Sequence, residues 1–319
     1  MRHALIRGPL GAIAPLAAVA LAVALLVPAC STKDATPAPV VNSTAREFPP
    51  TGVTKMVELT ITEFDWQVAP GATYQAIGYN GAIPGPTIDV NAGDHVVIKL
   101  TNKATAPHSA HTHVVRFPTG SDGVKNGVAM PGQTVTVEWD AVFAGTFPYH
   151  DHAGAEGETD GVSAGLFGAL VVHAPDEKKA AQENVVLLSD FELSRYTQLP
   201  GVAKGDAGPS DAGAYRGGHQ YLHTINGRAY EEWSPHFQAK VGDLVRWRVI
   251  SIGQEFHTFH VHGHRWVGPD GVLTDNVNMG PGTYTTFDWT EDNVGDWLYH
   301  CHVPAHMEGG MLGLYTVSN

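Results

Sequence analysis

From Val53 onward, apolar positions come in short runs rich in Val, Thr, Ile and aromatic residues, often alternating with polar ones and bounded by Gly, Pro and Asn. Val57 to Ile61, Val96 to Leu100, Thr134 to Trp139 and Val185 to Leu188 are examples. Side chains alternate faces along an extended backbone, so this pattern predicts half-buried strands at the spacing of a β-sandwich. No long stretch carries the 3.6-residue period of an amphipathic helix. Upstream, the apolar run Leu16 to Val27 follows the basic residues Arg2 and Arg7. It is too short to span a bilayer as an ordinary helix and reads as an export signal. Ser31 to Pro50, rich in Ser, Thr, Pro and Ala, reads as a flexible tether.

The pattern then repeats. Gly93-Asp94 before the apolar run His95 to Leu100 answers Gly242-Asp243 before Leu244 to Ile250, and Pro131-Gly132 answers Pro281-Gly282. Gly145 to His152 answers Gly295 to His302, an offset of 295 − 145 = 150 residues. The chain is thus expected to be all-β, two copies of one Greek-key β-sandwich domain. The expected organisation is a signal at 1–29, a tether at 30–52, a first domain at 53–174, a linker at 175–183 and a second domain at 184–319. The Gly-rich segment 201–218 reads as a long loop.

Charge and composition narrow the partners. Nineteen Lys and Arg against 32 Asp and Glu give a net charge of −13, which argues against nucleic acid, since phosphate binding needs a basic surface. Removing Met1 to Ala29 deletes two positive charges and leaves −15. Eighteen histidines stand beside only two cysteines, which excludes a disulfide scaffold. Val27-Pro28-Ala29-Cys30 is similar to a bacterial lipoprotein cleavage box, in which Cys30 becomes the lipidated first residue; ordinary signal cleavage after Ala29 is the alternative. Either way export is expected, to the periplasm or cell surface, with a membrane tether in the first case.

Ten of the histidines fall in four clusters: His111-x-His113, His150-x-His152, His257-x-x-His260-x-His262, and His300-Cys301-His302 with His306. Residues two apart on a strand share a face, so each His-x-His pair can offer two imidazoles to one site. The same parity turns Cys301 away from His300 and His302 and lets His257 lie on the far side from His260. His306 and Met311 follow Cys301 closely enough to return to its thiolate. Two His, one Cys and a weak axial Met form the ligand set of a blue copper electron-transfer centre. Zinc fits less well, because the C-x-x-C spacing of its structural sites is absent.

These residues resemble a known family, the two-domain multicopper oxidases often called small laccases, from about Val53 to Asn319. The segment His300 to Met311, with Tyr79 to Ile88 and His257 to Gly263, carries the resemblance. It implies cupredoxin-like domains and four coppers per protomer. Type 1 copper would sit at His257, Cys301, His306 and Met311, and type 2 copper at His111 and His260. The type 3 pair would take His113, His150, His152, His262, His300 and His302. It further implies a laccase-like enzyme, in which a small phenolic or similar organic reductant gives electrons near His306. Cys301 relays them to a cluster that reduces dioxygen to water, in a homotrimer whose clusters lie at subunit interfaces. A metal-ion oxidase (cuprous or ferrous) is the alternative, with nitrite reductase and a copper electron carrier behind it.

Asp122 matches an acidic position near the cluster in such proteins and is a candidate proton supplier; a turn Asp before Gly123 is the competing reading. Phe117 occupies a position that is Tyr in several small laccases, which puts a tyrosyl route there in doubt. In the first copy His108 answers His257, but Asp151 stands at the thiolate position and Glu156 at that of His306. A polar cluster without blue copper is expected there. The other histidines are expected at the surface or in satisfied core positions, with His264 a partner to a ligand imidazole.

Overall fold

The computed structural model describes residues 46–153, 158–192, 196–198, 221–268 and 270–319. The signal, Cys30, most of the tether, Glu156 and the loop 201–218 lie outside the described residues. The first half contributes strands β1 (Thr54–Ala69), β2 (Ala72–Tyr79), β3 (Ile88–Asn91), β4 (His95–Asn102), β5 (His111–Thr112), β6 (Thr134–Asp140), β7 (Gly145–His150) and β8 (Phe167–His173), with helix α1 (Glu158–Ala164) before β8. The second contributes β9 (Gln182–Glu192), β10 (Tyr196–Gln198), β11 (Tyr221–Ile225), β12 (Phe237–Lys240), β13 (Leu244–Ser251), β14 (His257–Val261), β15 (Trp266–Val267), β16 (Leu273–Thr274), β17 (Asn276–Met279), β18 (Tyr284–Thr290), β19 (Gly295–His300) and β20 (Leu312–Ser318). Helix α2 (Pro304–Glu308) lies between the last two.

Each half is a pair of sheets. In the first, the order β10-β2-β1-β4-β6 faces β3-β8-β7-β5; in the second, β11-β9-β13-β18 faces β12-β20-β19-β14-β17. The short β10 comes from the second half of the sequence but pairs with β2, so it extends a sheet of the first. The cupredoxin-like all-β architecture follows from strands whose inward positions are apolar. Leu59 and Ile61 on β1 and Val96, Ile98 and Leu100 on β4 are fully buried, and each such side chain contributes about 1.5–3 kcal/mol.

A separate apolar cluster joins the halves: Tyr74 and Phe167 from the first pack with Leu187, Phe191, Leu222 and Ile250 from the second. Polar bonds cross the same junction. Trp66 Nε1 donates to the Gly227 carbonyl at 2.6 Å, and the Thr146 and Thr286 hydroxyls lie 3.0 Å apart. Gly227 has φ +71°, and a Cβ there would fall 2.7 Å from Ile83 Cγ2, so conformation and close approach both require glycine.

Candidate metal centres

The pleat brings the predicted histidines together as parity requires. β5 and β7 run antiparallel with His111 opposite His150, and β14 and β19 do so with His260 opposite His300. Around the first pair, ring centroids of His111 lie 5.6, 5.5 and 5.0 Å from His113, His150 and His152. Around the second, those of His260 lie 5.1, 5.4 and 5.3 Å from His262, His300 and His302. All eight imidazoles expected of the paired motifs therefore stand in two groups of four, one per half.

Backbone carbonyls orient these rings. Nδ1 of His111, His150, His260 and His300 lies 2.7, 3.0, 2.6 and 2.8 Å from the carbonyls of Asp122, Asp151, Asp275 and Cys301. A carbonyl only accepts, so each Nδ1 carries the hydrogen and Nε2 keeps its lone pair for a metal. These nitrogens converge: His150 Nε2 is 3.3 Å from His113 Nε2, and His262 Nε2 is 3.0 Å from His300 Nε2. Burial, with the neighbouring imidazoles, brings His150 down to about 4 against a bond to the Asp151 carbonyl. Burial lowers His262 and His300 too. The neutral form that a metal needs is thereby favoured. A cavity of about 300 Å³ opens beside His113 and His150, walled by Ser163, Gln254 and Gly282.

Three members of the second predicted set also assemble, with the backbone of the fourth, Met311, bonded to Cys301. His257 Nδ1 and His306 Nδ1 are 3.1 Å apart and lie 3.9 and 3.7 Å from Cys301 Sγ. Met311 is fully buried, and its carbonyl accepts from the Cys301 amide at 3.1 Å. Burial pushes the Cys301 thiol up, but His257, His306 and the Thr258 and Val303 amides outweigh it and bring the thiol down to about 5. His257 is lowered by burial and raised more strongly by Asp190 and Cys301, to about 9. Both shifts favour a thiolate beside a protonated ring, so a metal taken up here competes with a proton. One soft thiolate, two imidazoles and a thioether suit copper.

Asp122 lies beside the first group through its carbonyl on His111; its half-exposed carboxylate stands 3.9 Å from His111 Nδ1. Phe117 packs edge-on against His111, centroids 5.7 Å apart. In the first half His108 Nδ1 bonds Asp151 at 2.8 Å and the two are buried together, the polar pair expected where a thiolate is missing. His264 Nδ1 donates to the His262 carbonyl at 2.7 Å. Sequence reasoning missed Asp190, His223, Glu255 and Asp275. His257 Nε2 lies 3.1 Å from Asp190 and His306 Nε2 lies 2.9 Å from Glu255, while His223 stacks on His306 at 3.9 Å. No local motif announces these four, because loops and cross-strand pairing deliver them.

Fold and donors together define a cupredoxin-type metalloprotein. Multicopper oxidase family models match residues 60–177 and 207–319. The chain belongs to the multicopper oxidases. It is 33% identical over 268 residues to a probable nitrite reductase–hydroxylamine oxidoreductase fusion protein of Kuenenia stuttgartiensis, covering 78% of this chain and 30% of that protein. A ferroxidase of Homo sapiens is 27% identical over 278 residues, 74% of this chain and 23% of its own length. The chain thus spans under a third of these relatives. A solved multicopper oxidase superposes with a TM-score of 0.71 at 25% identity, covering 86% of this chain and 93% of that one.

Proposed function

We propose that this protein is a laccase-like oxidase that couples one-electron oxidations of a phenolic or similar organic donor to the reduction of dioxygen to water. Type 1 copper is assigned to His257, Cys301, His306 and Met311, type 2 to His111 and His260, and the type 3 pair to His113, His150, His152, His262, His300 and His302. The observation that carries the reading is the placement of Cys301: its thiol faces His257 and His306 while its chain neighbours His300 and His302 belong to the other group. When bound, copper would supply one-electron acceptance at the first site and dioxygen reduction at the second.

The residues of the chain account for the rest. His306 is nearly buried, and the partly exposed Glu255 on its Nε2 marks the edge where a donor meets the site. Phe256 beside it is strongly exposed and offers an aromatic face. Asp122, close to His111 and open to solvent, is proposed to pass protons inward. A cluster of three coppers needs both groups of four imidazoles. His262 and His302 are exposed, and so are Val267, Val272 and Leu273 on the neighbouring hairpin. These features support a homotrimer in which one chain's first group meets another chain's second group. The sequence supports export and tethering through a lipidated Cys30.

Oxidation of a cuprous or ferrous ion is the second reading, favoured by Asp190, His223 and Glu255, whose donor atoms lie within 4.8 Å of one another beside His306. Nitrite reduction is less well supported, since Asp151 fills the thiolate position of the first half. Oxygen uptake by the copper-loaded protein tests the reading. A dimethoxyphenol should drive faster uptake than ferrous or cuprous ion, and Cys301→Ser should abolish both the blue absorbance and the uptake. Faster turnover of the metal ions selects the second reading, and no uptake with any donor overturns the oxidase.

A further inference from the structure

The surroundings of His257 and His306 contain a device that the ligand assignment does not use. Asp190 lies on β9, in the sheet opposite β14, and its carboxylate is fully buried. It meets four groups. His257 Nε2 is 3.1 Å from Oδ1, His223 Nδ1 is 2.8 Å from Oδ1, and the Gln254 and Glu255 amides donate to Oδ2 at 3.1 Å each. His223 is the register partner of Asp190 across the β9–β11 pair, and its ring stacks on His306 with centroids 3.9 Å apart and planes 19° from parallel. The Glu255 side chain in turn holds His306 Nε2.

We infer that Asp190 is the positioning residue for both imidazoles of the proposed type 1 site, acting on His257 directly and on His306 through the His223 ring and the Glu255 backbone. The inference rests on the copper assignment above and goes beyond it. A carboxylate that accepts from His257 Nε2 leaves Nδ1 as the lone-pair atom, and Glu255 does the same for His306. The two Nδ1 atoms then point at each other and at Cys301 Sγ, so the carboxylates hold the Nε2 hydrogens and the nitrogen left for a metal is Nδ1 on both rings. Glycines clear the space: a Cβ at Gly253 would fall 2.5 Å from Asp190 Oδ2, and one at Gly309 would fall 2.9 Å from His223 Cδ2.

His223→Ala removes the stack and one anchor, His223→Phe keeps a ring behind His306, and Asp190→Asn keeps the shape of the carboxylate but not its charge. In the copper-loaded full-length protein, retention of the blue absorbance is followed during titration with a copper chelator, with the type 1 reduction potential and electron paramagnetic resonance hyperfine splitting measured alongside. His223→Ala and Asp190→Asn should hold type 1 copper about 10–100-fold more weakly and change both spectroscopic values, whereas His223→Phe should stay nearer the parent. A merely structural role would lower thermal stability without moving the copper affinity or the spectrum, and that result overturns the inference. Asp190→Asn decides the matter if His223→Ala does not fold. A parent protein with no blue band contradicts the copper assignment itself, so the two failures are distinguishable.

Discussion

At the residue scale a buried contact outside the metal groups joins His264 and Glu291. Glu291 Oε1 meets His264 Nε2 at 2.7 Å and accepts from the amides of Asp292 and Asn293, while Oε2 accepts from Trp289 Nε1 and the Tyr315 hydroxyl. Both oxygens are acceptors, so the group is a carboxylate, and both nitrogens of His264 face oxygen acceptors. The pair is buried, and neutralising the carboxylate leaves its ring of donors without the anion they surround. Glu291→Gln should cost about 3–5 kcal/mol in urea unfolding, and a loss within experimental error would show that the charge is not needed. Burial raises Glu291, but the bonds from His264, Tyr315 and Trp289 bring it down to about 2, below its ordinary value of 4.5. The stability it adds is therefore complete above about pH 4.5 and is lost as pH falls toward 2, so Glu291→Gln should flatten the acid limb of the stability curve. His264 was expected as a partner to a ligand imidazole, but it bonds the His262 backbone carbonyl and Glu291 rather than a ligand ring. Glu291 was not legible, because its approach depends on the turn after β18.

At the element scale, strand alternation explains why so much of the site could be read from sequence. A two-residue period puts His111 with His113 and His260 with His262 whatever the sandwich around them, and it turns Cys301 away from its neighbours. What alternation cannot give is which sheet lies opposite: Asp190 reaches His257 across the sandwich, and β10 leaves its own half to pair with β2. The junction is similarly non-local. Arg248 of β13, almost fully buried, donates to Glu183 at 2.7 Å, to Glu177 at 3.0 Å and to the Thr146 hydroxyl of the first half at 3.0 Å. Arg248→Met should cost about 1.5–3 kcal/mol, because the Thr146 hydroxyl loses its donor and Glu177 and Glu183 are left with Arg246, at 3.1 and 3.2 Å. If calorimetry finds the melting temperature unchanged, this network does not hold the halves together.

At the scale of the whole molecule, the 150-residue repeat was legible because glycines, prolines and histidines recur at one offset, and the structure places equivalent strands at equivalent positions in the two sandwiches. The differences between copies carry the chemistry. Asp151 and Cys301 occupy matching places, one bonded to His108 and the other facing His257 and His306, so among the described residues the donor set proposed for type 1 copper lies in the second half. Each half supplies four imidazoles to the remaining chemistry, and neither group alone fills the set of eight proposed for three coppers. Copper content is therefore tied to assembly, and native mass spectrometry of the copper-loaded and copper-free protein reads both at once. The expected result is a homotrimer with four coppers per chain, its assembly strengthened by metal. A monomer that retains all four coppers, or a trimer holding only one per chain, would contradict it.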